Sequence, residues 1–358
     1  MRVVVTGASG NIGSALLRRL AADGGHQVVG LARRLPDQDA SAPDHVREVD
    51  WRSVDLTRQR DVPTLREAVE GADAVVHLAW GFQPSHDLAY LEELGVGGTR
   101  RVLEAVEAAG VPHLVHMSSV GSYSPKRDDR PVDESWPTEG VPTSWYSRSK
   151  AAAERLLDSH EAATATVVTR LRPGIVGQRS AGSALLRYGV PGYVPGWALT
   201  WLPVLPLDRA LVIPMVHSDD VADAIVRVLE RRVGGAFNLA AEPPVTAARI
   251  AEAFGARLVH VPSQVLRPLV AASWRVHLQQ VDPGWLDMGS ALPLLDCGRA
   301  YRELGWAPSV DAMTVFREVL GGMRDTASDR TPVLRPRTVL GQAREALRRG
   351  PVSERQRP

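Results

Sequence analysis

A strand that runs straight into a turn built on three glycines, and from there into a helix, leaves a chain few ways to fold. Arg2-Val3-Val4-Val5 is a short β-branched run of the kind that forms a buried strand. Thr6-Gly7-Ala8-Ser9-Gly10-Asn11-Ile12-Gly13 follows without a break, and an amphipathic helix is expected from Ser14 to Ala22. Glycines at 7, 10 and 13 permit a tight strand-to-helix turn, close backbone approach to a pyrophosphate, and close packing of helix on strand. Phosphates would sit at the helix N-terminus, where free N–H groups and the helix dipole favour anions. The spacing is one residue wider than G-x-G-x-x-G, so the strand before it and the helix after it give the pattern its weight. Strands alternate with helical patterns to about residue 175, which argues for βαβ units, a parallel sheet and an α/β fold.

A second pattern carries chemistry. Of 42 Lys and Arg residues only Lys126 and Lys150 are lysine, and Lys150 stands four after Tyr146 in Trp145-Tyr146-Ser147-Arg148-Ser149-Lys150. On a helix these two positions share a face. A phenol titrates near pH ~10, and a nearby ammonium would bring it toward neutral pH. Such a tyrosine can pass a proton to or from a carbinol oxygen. The alternative is an ordinary Tyr/Lys pair on a surface helix.

Together these residues resemble the extended branch of the short-chain dehydrogenase/reductase superfamily, the NAD-dependent epimerase/dehydratase relatives, from Met1 to about Arg324. The resemblance implies a Rossmann-type doubly wound parallel sheet with a smaller C-terminal α/β substrate lobe. Residues 1–175 would form the NAD(P)-binding part, with some later segments returning to it, and 176–325 the substrate lobe. Gly7, Ser9, Gly10, Asn11, Ile12 and Gly13 match the cofactor loop. Tyr146 and Lys150 match the catalytic helix, and Ser119 of Ser118-Ser119-Val120-Gly121-Ser122-Tyr123 the third catalytic position. The resemblance implies that Ser119 hydrogen-bonds the reacting oxygen and that Lys150 also holds the nicotinamide ribose. Further cofactor contacts are implied for Leu78 and Ala79 in Ala74-Val75-Val76-His77-Leu78-Ala79, and for Asp55 and Leu56 at the adenine. Pro173 and Ile175 join them from Arg170-Leu171-Arg172-Pro173-Gly174-Ile175-Val176-Gly177. Met215-Val216-His217-Ser218-Asp219-Asp220-Val221-Ala222, Phe237-Asn238-Leu239 and Leu304-Gly305-Trp306-Ala307-Pro308 match later blocks of the family, the last two with structural roles. Relatives pair helices like those expected at Gly98–Ala109 and Ser144–Ser159 across a dimer axis, so a homodimer is implied.

Three departures bear on function. Ala32 stands where NAD-preferring relatives carry an acid, and Arg33 and Arg34 follow. A guanidinium fork suits a 2′-phosphate, which favours NADP over NAD, the alternative being arginines that simply face solvent. The family's N-V-x-G-T reads Gly95-Val96-Gly97-Gly98-Thr99, so a proton relay through that asparagine is in doubt. Ile213 occupies the place of the arginine that binds a sugar-nucleotide pyrophosphate, although Arg179, Arg187, Arg209 or Arg275 could serve from elsewhere.

The rest of the composition is that of an ordinary globular protein: 44% hydrophobic, 23% charged, net charge +1. Nothing in it points to nucleic acid. The single cysteine, Cys297, reads as a small indifferent thiol, and no metal-ligand spacing occurs among the ten histidines. A first strand starting at residue 2 leaves no room for a signal peptide, so a cytoplasmic location is expected. From Tyr188 to Leu207 there is no charge, but prolines at 191, 195, 203 and 206 make a spanning helix a poor fit. An apolar lid or pocket wall with Tyr193, Trp197 and Trp201 is expected; contact with a membrane surface is the minor alternative. A second apolar helix, Gln264 to Leu278 with Trp274, is expected to pack in the core. From Thr326 the chain turns arginine-rich, and a disordered tail is expected apart from a short amphipathic helix near Thr338 to Arg349.

The functional expectation is hydride transfer between a nicotinamide and a carbinol or carbonyl carbon of a small-molecule substrate, with Tyr146 as acid/base. Epimerisation or dehydration of a nucleotide sugar with tightly held NAD is the alternative. A non-catalytic NAD(P) sensor is the remote one.

Overall fold

The computed structural model describes residues 1–39, 41–81, 86–190, 194–279 and 281–338. Strand β1 (Arg2–Thr6) leads into helix α1 (Asn11–Asp23), which starts inside the glycine turn, earlier than its apolar periodicity suggests. Then follow β2 (Gln27–Ala32), a one-turn α2 (Asp44–Arg47), β3 (Asp50–Ser53), α3 (Val62–Val69), β4 (Ala74–His77), α4 (Leu88–Glu92), α5 (Gly98–Ala108), β5 (His113–Met117), α6 (Trp145–Ala163) and β6 (Val167–Pro173). The first strand takes the central place its β-branched run suggests: Val3, Val4 and Val5 lie between Val28–Gly30 of β2 and Ala74–Val76 of β4, all parallel. Val3, Val4 and Val5 are fully buried, as strands covered by helices on both faces must be. Leu16, Leu17 and Leu20 of α1 seal one face, and Val102, Leu103 and Val106 of α5 with Leu157 of α6 seal the other. Each such leucine contributes about 1.5–3 kcal/mol of transfer free energy.

The chain then leaves this sheet and comes back. After β7 (Ile175–Gly177), α7 (Gly182–Gly189), β8 (Val204–Leu207), β9 (Val212–His217) and α8 (Ser218–Arg231), strand β10 (Gly235–Leu239) pairs in parallel with β6. The seven-stranded sheet has the order β10-β6-β5-β4-β1-β2-β3, a Rossmann-type α/β fold. Strand β11 (Ala241–Thr246) joins β9 and β7 in a three-stranded sheet. After α9 (Ala247–Phe254), β12 (Arg257–His260) pairs with β8. Helices α10 (Ser263–Arg275), α11 (Pro283–Ala291) and α12 (Ala312–Arg324) complete the order. The Asp220 block and the Leu304–Pro308 turn brace each other: Trp306 Nε1 donates to Asp220 O at 2.8 Å and Ser309 Oγ to Asp220 Oδ1 at 2.6 Å.

Three expectations are corrected. Helix α10 forms, but it has no buried residue, and Val265, Leu269 and Val276 are turned to solvent. It touches chiefly α11 on one side, so its apolar stripe is surface rather than core. Trp197 and Trp201 also face outward, ring edge against ring, whereas Tyr188 turns to the central cleft. Pro191 and Tyr193 of that stretch lie outside the described residues. Finally, residues 326–338 are not a loose tail. Ser183 N donates to Ala327 O at 2.8 Å, Ser183 Oγ to Thr326 O at 2.6 Å, and Leu334 is buried against Ala181 and Ala184. Composition misses this because Thr331, Val333 and Leu334 are few among the arginines, yet they are the residues that dock. The helix expected near Thr338 to Arg349 falls outside the described residues beyond Thr338. Among the described residues no helix is long and apolar enough to cross a membrane.

Candidate active site

A cleft of about 520 Å³ runs along the C-terminal ends of the parallel strands, the edge at which open α/β sheets place ligands. Every cofactor and catalytic candidate named from sequence lines it: Gly7, Ser9, Gly10, Asn11, Ile12 and Gly13 from the first turn; Arg33 and Arg34 after β2; Asp55 and Leu56 after β3; Leu78 and Ala79 after β4; Pro173 and Ile175 at the end of β6; and Ser119, Tyr146 and Lys150. Arg179, Arg187, Arg209 and Arg275, the alternatives for a substrate pyrophosphate, do not line it.

The glycine turn fits a dinucleotide pyrophosphate on steric grounds. Gly7 has φ +71°, and a Cβ there would lie 2.7 Å from Ala79 N. A Cβ on Gly13 would lie 2.5 Å from Gly7 O, so the turn cannot relax without losing the approach of α1 to β1. The N-terminus of α1 has no side-chain cap and no acid in its first turn, which leaves its N–H groups and dipole for an anion in the cleft. Asn11 holds the turn to β7: its Nδ2 donates to Val176 O at 3.2 Å, and its Oδ1 accepts from Gln178 Nε2 at 2.8 Å. Asp55 is the one acid lining the cleft among the described residues, and its carboxylate is held by Thr57 and Arg58. At the end of β2, Arg33 Nη1 donates to Tyr90 Oη at 2.7 Å. Burial, then the fields of Arg335, Arg33 and Arg187, lower the proton affinity of the neighbouring Arg34.

At the other end of the cleft three side chains converge. Ser144 caps α6, which begins at Trp145 and so places Tyr146 in its first turn and Lys150 one turn on. The Tyr146 phenol is hydrogen-bonded to the Ser119 side chain, which also accepts from Gly121 N at 3.0 Å. Lys150 Nζ donates to Met117 O at 2.9 Å and lies 3.5 Å from the centroid of the Trp80 ring. The expected direction of the tyrosine shift is corrected here. Burial pushes the Tyr146 phenol up to about 12, only partly opposed by Ser119. Lys150 is itself drawn down to about 7 by burial, with Glu154 opposing. Both groups are buried, and desolvation outweighs the one contact that opposes it in each case, Ser119 for Tyr146 and Glu154 for Lys150.

Sequence reasoning missed the support for this triad. Trp80 is the clearest case. A Cβ on Gly95 would lie 2.9 Å from the Trp80 ring, so the indole fills the space a side chain at 95 would need. Where relatives carry asparagine, this chain has a glycine and an aromatic seat for the lysine. Glu154, one turn beyond Lys150 on α6, is buried and receives Arg172 through Nε and Nη2, both at 2.9 Å, and Ser118 Oγ at 2.6 Å. Its i+4 spacing from Lys150 was a readable signal, whereas its partners come from β6 and from the residue that follows β5. His77 is hydrogen-bonded to Thr6 at 2.7 Å and Thr99 at 3.1 Å, which locks β4 to β1 and α5. Trp285 and Met288 of α11 close the wall beside Tyr146, with the Trp285 and Tyr146 ring centroids 5.1 Å apart. Cys297 is buried, and its thiol is pushed up to about 12.

Residues 3–240 match the model of the NAD dependent epimerase/dehydratase family. Taken with the seven-stranded sheet and the glycine turn, this shows that the chain belongs to that family of NAD-dependent enzymes. It is 31% identical over 315 residues to an uncharacterized protein of Mycobacterium tuberculosis, covering 87% of this chain but 29% of that protein's length. A 3-diazoavenalumate denitrifying reductase of Streptomyces is 28% identical over 330 residues, 86% of this chain and 96% of that one. Among solved structures, UDP-glucose 4-epimerase of Thermus thermophilus in complex with NAD superposes with a TM-score of 0.65 at 26% identity, over 90% of this chain and 99% of that one.

Proposed function

We propose that the protein is a nicotinamide-dependent oxidoreductase that interconverts a carbonyl and a carbinol on a small, largely apolar substrate, with NADP as the preferred cofactor. The observation that carries this reading is the character of the cleft around Tyr146. Its phenol, Ser119 and Lys150 meet beneath Trp80, Trp285 and Met288, and the only arginines lining the cleft among the described residues, Arg33 and Arg34, come from the end of β2. A nucleotide sugar would need a cation for its pyrophosphate near the tyrosine. Ile213 supplies none, Arg179 is paired with Asp325, and Arg187 donates to the carbonyls of Val333 and Arg335.

A bound nicotinamide dinucleotide would supply the hydride donor or acceptor. The turn from Gly7 to Gly13 and the start of α1 would hold the pyrophosphate, Asp55 and Leu56 the adenine side, and Lys150 the ribose. Ser119 Oγ fixes the orientation of the Tyr146 hydroxyl and, with it, of the substrate oxygen. Tyr146, protonated through the neutral range, is poised to give its proton to a carbonyl oxygen being reduced. The Lys150 ammonium favours the phenolate that this leaves behind. The indole wall excludes water and raises the weight of each of these charges.

Epimerisation of a nucleotide sugar is the second reading, supported by the likeness to UDP-glucose 4-epimerase. Mass spectrometry of nucleotide released from the purified protein, with NADPH and NADH titrations, separates the two. Protein that arrives empty and binds NADPH ahead of NADH supports the reductase. Stoichiometric retained NAD⁺ favours the epimerase and removes the NADP preference.

A further inference from the structure

Among the described residues 13 large hydrophobic side chains are exposed, and nine of them fall in two short segments. Trp197, Trp201, Leu202 and Val204 belong to the first, a turn of 3-10 helix (Gly196–Trp201) that runs into β8. Val259, Val265, Leu269, Val276 and Leu278 belong to the second, which runs through β12 and α10. The two segments are joined. In the pairing of β8 with β12, Val204 lies beside Arg257 and Pro206 beside Val259, and Ser263 N at the start of α10 donates to Asp208 Oδ2 at 2.9 Å, just past β8. Leu205 and Leu207 turn inward to the core beneath, which leaves Val204, Pro206 and Val259 on the outer face. Along α10, Val265, Leu269, Ala272 and Val276 recur at helical spacing and are all exposed, while Leu266, Val270 and Trp274 between them are half-buried.

Charge on these segments is one-sided. From 197 to 209 and from 257 to 278 the only acid is Asp208, which is taken up by the backbone N–H groups of Ala210 and Ser263. Arg209, Arg257 and Arg275 are exposed, with no carboxylate in ion-pair range among the described residues, and Arg267 is paired with Asp287 of α11 at 2.9 Å. Apolar surface of this kind, rimmed by charge of one sign, marks an interaction site.

We propose that this surface docks on an anionic lipid membrane, with Trp197, Trp201 and the exposed stripe of α10 entering the headgroup boundary and Arg209, Arg257 and Arg275 meeting lipid phosphate. Indoles favour that boundary, where an apolar ring and an N–H donor are both accommodated. A helix with an exposed apolar stripe and flanking arginines suits the plane of the same boundary. A second copy of the chain is disfavoured as the occupant: a two-fold pairing through this surface would set arginine against arginine with no free acid opposite. The proposal stands whichever reaction the cleft carries out.

The test is co-flotation of the full chain with vesicles of phosphatidylcholine mixed with phosphatidylglycerol and with vesicles of phosphatidylcholine alone, beside sedimentation velocity without lipid. The wild type is expected to float with the anionic vesicles, less with the neutral ones, and to lose binding as salt is raised. Trp201→Ser with Leu269→Ser should weaken partitioning by about tenfold or more, as removal of two inserted apolar side chains implies. Arg257→Glu with Arg275→Glu should weaken it by about tenfold and abolish the preference for phosphatidylglycerol. Every replaced side chain is exposed, so Tm should hold in both variants. A wild type that floats with neither vesicle overturns the proposal. Equal flotation with both overturns the anionic assignment. Flotation that survives both pairs of substitutions places the contact elsewhere, as on the arginines beyond residue 338, and overturns this surface. A lipid-free dimer that Trp201→Ser with Leu269→Ser abolishes, without flotation of the wild type, makes the surface an interface between copies and overturns the membrane as its occupant.

Discussion

The environment of one lysine decides much about this site. Lys150 is fully enclosed, donates to Met117 O and rests on the Trp80 indole, a contact worth about 2 kcal/mol when desolvated. Trp80→Leu should therefore leave dinucleotide affinity within about threefold but lower kcat, because the ammonium loses the seat that holds it near Tyr146; steady-state kinetics with the same substrate would show a kcat effect without a matching KM effect. Tyr146→Phe removes the proton-transferring hydroxyl and keeps the ring, so kcat should fall by roughly 10²–10⁴ while the NADPH dissociation constant holds. An unchanged kcat would sink the assignment of Tyr146. The pair Tyr146/Lys150 was legible because helical spacing places two chemistries on one face. Trp80 was not, because its meaning depends on Gly95, whose missing side chain leaves room for the indole, and the upward shift of Tyr146 was not, because burial is a property of the assembled fold.

Among the elements, α1 and α10 make the contrast. Both carry apolar residues at helical spacing, but those of α1 meet β1 and α8, while those of α10 meet solvent. Leu16→Ala in α1 should cost about 2–5 kcal/mol in urea unfolding. Leu269→Ser in α10, at a position 65% exposed, should stay within about 0.5 kcal/mol. A large cost at Leu269 would mean the stripe is covered. Periodicity identifies an amphipathic helix but not which side the rest of the molecule occupies, and for α10 that was the missing knowledge. The docking of residues 326–338 on α7 was hidden for a related reason: Ser183 and Thr326 meet over a separation of 143 residues, which no local pattern can announce.

For the whole molecule, acid sensitivity follows from its buried histidines. His77, His113 and His116 are each 1% exposed and are held neutral: burial lowers His77 to about 3 and His113 to about 4, and puts His116 well below the usual range. The unfolded chain would take up protons at these sites near pH ~6.5, before the folded one. Stability from them is thus fully present above that pH and is lost as pH falls toward 4, by up to about 1.4 kcal/mol per pH unit for each histidine. Urea midpoints measured from pH 7 to pH 4 should fall accordingly, and His116→Leu should flatten the slope; an identical slope would assign the acid limb to carboxylates.

The two paired strands β6 and β10 leave the seven-stranded sheet side by side, one through Gly174 and the other through Ala240, joined by the bond from Gly174 N to Leu239 O at 2.9 Å. Two adjacent stitches, β6 into β7 and β10 into β11, thus fasten the smaller sheet to the larger along one edge, beside Pro173 and Ile175 of the cleft.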